Sequence, residues 1–181
     1  MSGIISDNQG KSSGVVKAAG GGIVLQKQHM FYTMTKSTST AVWPWDNTIP
    51  QNNEGIETMT LAITPSNASN KLLIEAQQFM TNNTATELAS ICLFQDSTAN
   101  AIACSMREQG SANYQQQPIK FVHYMDAGTT STTTFKIRIG NGTRTHNHTG
   151  GTFTLNGEND GVTYQLGGTL RSQMMITEIK V

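Results

Sequence analysis

Phe135-Lys136-Ile137-Arg138-Ile139-Gly140-Asn141-Gly142 is the stretch on which the fold turns. Apolar side chains at 135, 137 and 139 alternate with cations at 136 and 138, so an extended chain puts three greasy groups on one face and two charges on the other. A helix would scatter the same residues around its axis. Asn141-Gly142 then supplies a turn dipeptide. Such a strand belongs to a sheet with one face in a core and the other in water.

The same period recurs outward along the chain. Leu72, Ile74 and Ala76 alternate with Leu73, Glu75 and Gln77; Ile119, Phe121, His123 and Met125 alternate with Lys120, Val122 and Tyr124. Enrichment in β-branched residues adds strand candidates at 23–35, 56–63, 88–95, 101–106, 152–155, 162–166 and 173–181, and no window of a dozen residues has helical spacing. Turn chemistry divides them at Thr64-Pro65-Ser66-Asn67, Asp126-Ala127-Gly128, Asn141-Gly142, Asn156-Gly157 and Asp160-Gly161. Short strands at this spacing predict an all-β protein, an antiparallel β-sandwich of jelly-roll type. The order of the strands stays open at this level.

Residues 1–22 do not share the pattern. They read MSGIISDNQGKSSGVVKAAGGG, with only the pairs Ile4/Ile5 and Val15/Val16 to bury. So few apolar groups cannot offset the entropy of ordering the segment, which must be disordered or ordered by a partner. The expected organisation is an extended N-terminal anchoring arm over 1–22 and a β-sandwich head over 23–181.

Length and composition narrow the partners. The chain has 181 residues and 19.6 kDa, enough for one domain with a sandwich core. Charged residues make up 13%, against about 25% in ordinary proteins, and the net charge is zero. Nucleic acids and anionic membranes select clustered Lys and Arg, so neither is an expected partner. No apolar run approaches the ~20 residues that cross a bilayer, and the opening has neither the basic start nor the apolar stretch of a secretory signal. Synthesis in the cytoplasm, without membrane insertion, is the expectation.

Three stretches give the chain a resemblance. The opening Met1-Ser-Gly-Ile-Ile5 with its Lys-Ser-Ser-Gly continuation, the segment from Leu61 to Ile74 (LAITPSNASNKLLI) and the closing Met174-Met-Ile-Thr-Glu-Ile179 are similar to small virion accessory proteins of tailed bacteriophages. The resemblance implies a short anchoring arm on a compact β head, a homotrimer, a place in the virion after synthesis in the host cytoplasm, and other virion proteins of capsid or tail as partners. It implies a capsid decoration or head-fibre protein first. A short tail fibre or receptor-binding protein contacting host surface glycans is the alternative. An arm of this kind would lie in a groove or add a strand to an exposed sheet edge, with Ile4, Ile5, Val15 and Val16 filling shallow pockets. Three arms on one trimer would raise the effective concentration of each, and Gly20 to Gly22 would serve as a hinge.

Other features are weighed on their residues. Trp43-Pro44-Trp45 sits in a Ser/Thr-rich connection, where the rings either cover one end of the core or form a surface contact for a sugar or a neighbouring subunit. His146 and His148 face the same way in an extended chain and would converge on an axial metal in a trimer, but the glycines around them favour a solvated loop. No metal or cofactor is therefore expected. Cys92 and Cys104 flank the turn Asp96-Ser-Thr-Ala-Asn100 symmetrically; buried free thiols are expected over a cross-strand bridge, because cytosolic assembly keeps thiols reduced. A nucleophile elbow, a phosphate loop and a His-Glu-x-x-His motif are all absent, and the carboxylates are scattered. A carboxylate pair assembled by folding is the one remaining route to hydrolysis, and the expectation is a protein that is not an enzyme.

Overall fold

The computed structural model describes residues 22–33, 36–38, 46–82, 88–108, 117–142, 153–157 and 164–181. Among these residues ten strands run in chain order: β1 Ile23–Tyr32, β2 Lys36–Thr38, β3 Ile56–Ile63, β4 Lys71–Asn82, β5 Leu88–Gln95, β6 Ala103–Glu108, β7 Gln117–Asp126, β8 Thr133–Gly142, β9 Phe153–Leu155 and β10 Ser172–Lys180. All paired strands among the described residues are antiparallel.

The pairing has one logic. β5 pairs with β6, β4 with β7, β3 with β8 and β1 with β10, so the chain is a long hairpin folded on itself around the Asp96–Asn100 turn. Wrapping that hairpin gives two sheets, β1-β10-β4-β7 and β3-β8-β5-β6. This is a jelly roll. The short strands β9 and β2 continue the first sheet where β4 outruns β10: Met80–Asn82 pair with β9, and β9 pairs with β2. Among the described residues β1 is one edge strand of that sheet.

Alternation holds where the sheets face each other. Leu72, Ile74, Ala76, Ile119, Phe121, Met174 and Ile176 from one sheet meet Met59, Ile63, Ala89, Ile91, Leu93, Phe135, Ile137 and Ile139 from the other in a single core. Phe135, Ile137 and Ile139 are fully buried, while Lys136 and Arg138 turn outward to Glu57 at 3.9 and 3.6 Å. Arg138 also donates to the Glu54 and Gly55 carbonyls at 2.7 and 2.9 Å, which holds the incoming loop over the sheet.

Two expectations are corrected. Positions 165 and 166 are not strand: Gln165–Gly168 form a 3-10 turn with Leu166, Gly167 and Gly168 at φ 51, 63 and 82, a left-handed path no strand can follow. Tyr164 makes only an isolated bridge to Gly157. Nor are the cysteines free thiols. The β5–β6 register sets Cys92 directly opposite Cys104 with Cα atoms 4.1 Å apart, and the sulfurs are joined in a disulfide. Direct opposition is what a cross-strand bridge needs, and this geometry outweighs the compartment argument. Cys92 and Phe94, on the outward side of β5, are buried with Ala101 packed on them, so with Ala89, Ile91 and Leu93 in the core this stretch of β5 is covered on both faces.

Gly22 serves close packing at the entry to β1. A Cβ there would lie 2.0 Å from Ile179 Cγ2 and 2.9 Å from the Lys180 carbonyl oxygen. Gly20 and Gly21, the rest of the expected hinge, lie outside the described residues.

Candidate interaction surfaces

Two outward faces of the sandwich carry the groups available to a partner. The first is the outer face of β1-β10-β4-β7. Register places its side chains in rows: Lys27, Thr177, Leu73 and Tyr124; then His29, Met175, Glu75 and Val122; then Phe31, Gln173, Gln77 and Lys120. Large apolar groups stand in water here, with Val122 66%, Tyr124 54% and Phe31 49% exposed. A groove of about 270 Å³ crosses the middle rows between His29, Glu75, Lys120 and Gln173.

Local contacts orient the margins of this face. The His29 ring meets Phe31 edge-on with centroids 4.3 Å apart, and the Arg171 guanidinium lies over the Phe31 ring, 5.5 Å from its centroid. Lys71 pairs with Asp126 across β4 and β7, a hydrogen bond that raises the pKa of the lysine. Glu75, half-buried between Met175 and Val122, has no cation within ion-pair distance among the described residues.

The second surface is a cleft of about 370 Å³ on the outside of β3-β8-β5-β6, lined by Asn52, Glu57, Asp96, Ser97, Lys136 and Arg138. Its polar groups are largely engaged with one another. Asp96, at φ 50, accepts from the Thr134 amide at 2.7 Å and the Thr133 hydroxyl at 3.0 Å; Asn52 donates to the Ser97 and Thr98 carbonyls at 3.4 and 3.1 Å. The loop that brings Asn52 here begins its described course at Asp46, directly after Trp45.

At the end of the sandwich where β1 begins, a buried carboxylate joins distant segments. Glu178 is fully buried and accepts from Gln26 Nε2 at 2.6 Å, Asn70 Nδ2 at 2.6 Å, and the Ser66 amide and hydroxyl, both at 2.8 Å. Burial raises the pKa of this carboxyl, but the four hydrogen bonds lower it more, and it is held down to about 2. Two of the stretches that carried the resemblance, LAITPSNASNKLLI and MMITEI, therefore touch through Ser66, Asn70 and Glu178. Sequence reasoning counted Glu178 only among scattered carboxylates.

Ile4, Ile5, Val15, Val16, Trp43, Trp45, His146 and His148 all lie outside the described residues. Among the described residues no group of three or more His, Cys, Asp or Glu is placed to hold a metal ion, and no helix is long and apolar enough to cross a membrane.

No protein-family model matches the chain, and no curated protein matches it. Solved structures with a similar fold include that of the Gt strain of infectious bursal disease virus, at 14% identity and TM-score 0.47, covering 86% of this chain and 38% of the viral chain. They include Eiger TNF from S. frugiperda, at 9% identity and TM-score 0.46, covering 88% of this chain and 94% of the other. They also include the CBM36-1 domain of a multidomain xylanase from the hindgut metagenome of Trinervitermes trinervoides, at 10% identity and TM-score 0.39, covering 83% and 96%. This chain thus spans well under two thirds of the viral chain it resembles.

Proposed function

We propose that this chain is a bacteriophage virion structural protein, a trimeric capsid decoration or head-fibre protein that the N-terminal arm anchors to the particle, and that it acts without catalysis. The observation that supports the reading is a sandwich core built by the described residues of the head: among them, every strand of the two sheets lies at or beyond Ile23, and the buried core runs from Met59 to Ile176, with Met30 and Tyr32 packed against it. β1, into which residues 1–21 lead, is an edge strand among the described residues. Arms of low apolar content bind weakly one at a time, and three on one assembly multiply that binding. Deletion of residues 1–20 is expected to abolish incorporation into particles while leaving the head folded; incorporation at the wild-type level would overturn the reading.

The polar cleft on β3-β8-β5-β6 favours one second reading, a short tail fibre whose head contacts host surface glycans. Trp43 and Trp45 precede in sequence the Asp46–Asn52 loop, which ends in the cleft at Asn52, and sugars are held by hydrogen bonds beside an aromatic ring. Trp43→Ala with Trp45→Ala then reduces adsorption to cells. Unchanged adsorption removes this second reading.

A further inference from the structure

We infer that the Cys92–Cys104 bridge opens and closes through Cys104, the sulfur at which a small thiol such as glutathione enters and leaves. The two halves of the bridge stand in different surroundings. Cys92 is 1% exposed, with Phe94 beside it and Ala101 packed on the pair. On its β8 side register sets Arg138, whose guanidinium is held by the Glu54 and Gly55 carbonyls, so a tethered side chain occupies that side as well. Cys104 is exposed in the alternation of β6, as Met106 and Glu108 are, and β6 is an edge strand among the described residues.

Access selects the sulfur, because an incoming thiolate must approach opposite the sulfur that leaves. Attack on Cys104 comes from beyond β6, where the sheet ends; attack on Cys92 would come from β8, across Arg138. In opening, a glutathione thiolate bonds to Cys104 Sγ, the bond to Cys92 breaks, and its electron pair leaves on Cys92 Sγ, which takes a proton. Cys104 then carries glutathione as a mixed disulfide. In closing, the Cys92 thiolate attacks Cys104 Sγ and glutathione departs as its thiolate. Starting from two thiols, the oxidant is glutathione disulfide: Cys104 displaces one glutathione from it and Cys92 the second, so the two electrons and two protons lost by the protein end in two glutathione thiols. Cys92 must stay opposite Cys104 meanwhile, and backbone bonds separate from the bridge hold it there. The Thr98 amide donates to the Gln95 carbonyl at 3.0 Å and the Ile102 amide to the Leu93 carbonyl at 2.8 Å, while the 50–52 loop clasps the turn through Asn52 amide to Ala99 carbonyl at 2.8 Å and Ala101 amide to Pro50 carbonyl at 2.9 Å. The hairpin keeps its register with the bridge open, and Cys92 is the resolving thiol.

The test uses full-length Cys92→Ser and Cys104→Ser, each reduced, freed of reductant and mixed with glutathione disulfide in native buffer. Gain of one glutathionyl group is followed by intact mass after acid quench, and folding by circular dichroism. Cys92→Ser, which keeps Cys104, is expected to gain the group about ten times faster than Cys104→Ser or more, and the two rates are expected to converge in denaturant. Equal native rates, a faster Cys104→Ser, a difference that persists in denaturant, or no adduct on either protein overturns the assignment. Should a serine variant lose the fold, the reduced wild type is alkylated briefly under native conditions and the labelled cysteine found by peptide mapping. Cys104 labelled ahead of Cys92 upholds the assignment; Cys92 first, or both together, overturns it.

Discussion

Glu178 is the residue whose burial most needs a cause. A carboxylate taken out of water without a cation is stable only if its lone pairs are filled, and Gln26 from β1 with Ser66 and Asn70 from the β3–β4 loop fill them. Because its folded pKa, about 2, lies below the ordinary 4.5, the stabilisation is fully present above about pH 4.5 and is lost as pH falls from there toward 2. Allowing for residual structure in the unfolded chain, the loss is on the order of 2 kcal/mol. Glu178→Gln exchanges one acceptor oxygen for a donor facing donors, so it costs roughly 2 kcal/mol at neutral pH. Its denaturation midpoint then falls less steeply than the wild type's on acidification. Denaturant melts of both proteins across that pH window check this, and equal slopes would show that the carboxylate contributes nothing to acid sensitivity.

Among the elements, the β5–β6 hairpin is the one closed covalently. Cys92 and Cys104 are 12 residues apart in sequence, and a loop of that size stabilises by about 3 kcal/mol in the chain-entropy account, less where a tight turn already restricts the unfolded hairpin. Reduction is expected to lower stability by about 2 kcal/mol, and thiol titration of the unreduced, denatured protein is expected to find no free cysteine. Two titratable thiols per chain would remove the bridge. How much of this was legible varies by element for physical reasons. β3 and β5 could be read to the residue because a turn follows each; for β8 the alternating charges marked only its middle, since the strand starts at Thr133 and carries on through Asn141-Gly142, which pair with Ala89 and Leu88 instead of forming the expected turn. β2 escaped notice: three residues, Lys-Ser-Thr, are too few to show a period, and only pairing with β9 makes them a strand. The opposite failure came at 165–166, the described end of the 162–166 candidate, where the chain enters a left-handed turn with the glycines at 167 and 168. The outer-face surface was legible only as alternation; that Val122, Tyr124 and Phe31 share a face depends on β10 and β4 lying between β7 and β1, which no local pattern encodes.

For the molecule as a whole, the nested hairpin makes the two chain ends unequal. β10 is laid between β1 and β4, so residues near the C-terminus complete a sheet whose first strand formed some 150 positions earlier, the Gln26–Glu178 hydrogen bond spanning 152 residues. It supplies Met174 and Ile176 to the core and Ser172 to a buried polar chain. Gln78 Nε2 and the Phe79 amide donate to the Ser172 hydroxyl at 2.6 and 2.9 Å, Ser172 donates to Asn156 Oδ1 at 2.6 Å, and Asn156 Nδ2 donates to the Tyr32 carbonyl at 2.7 Å. Removing the strand opens the core, leaves Gln78 and Asn156 without Ser172, and strips β1 of the partner it has among the described residues. On the proposed division the N-terminal arm carries no such duty; among the described residues the sheet starts at Ile23 and the core later. Truncation after Arg171 is therefore expected to abolish the cooperative thermal transition, whereas removal of residues 1–20 shifts its midpoint by no more than about 3 °C, within the range a change below 1 kcal/mol produces in a domain of this size. Calorimetry of the two truncated proteins beside the full chain measures both. An arm deletion that melts far below the full chain would mean that the opening residues help to hold the head, and the division into tether and sandwich would fail with it.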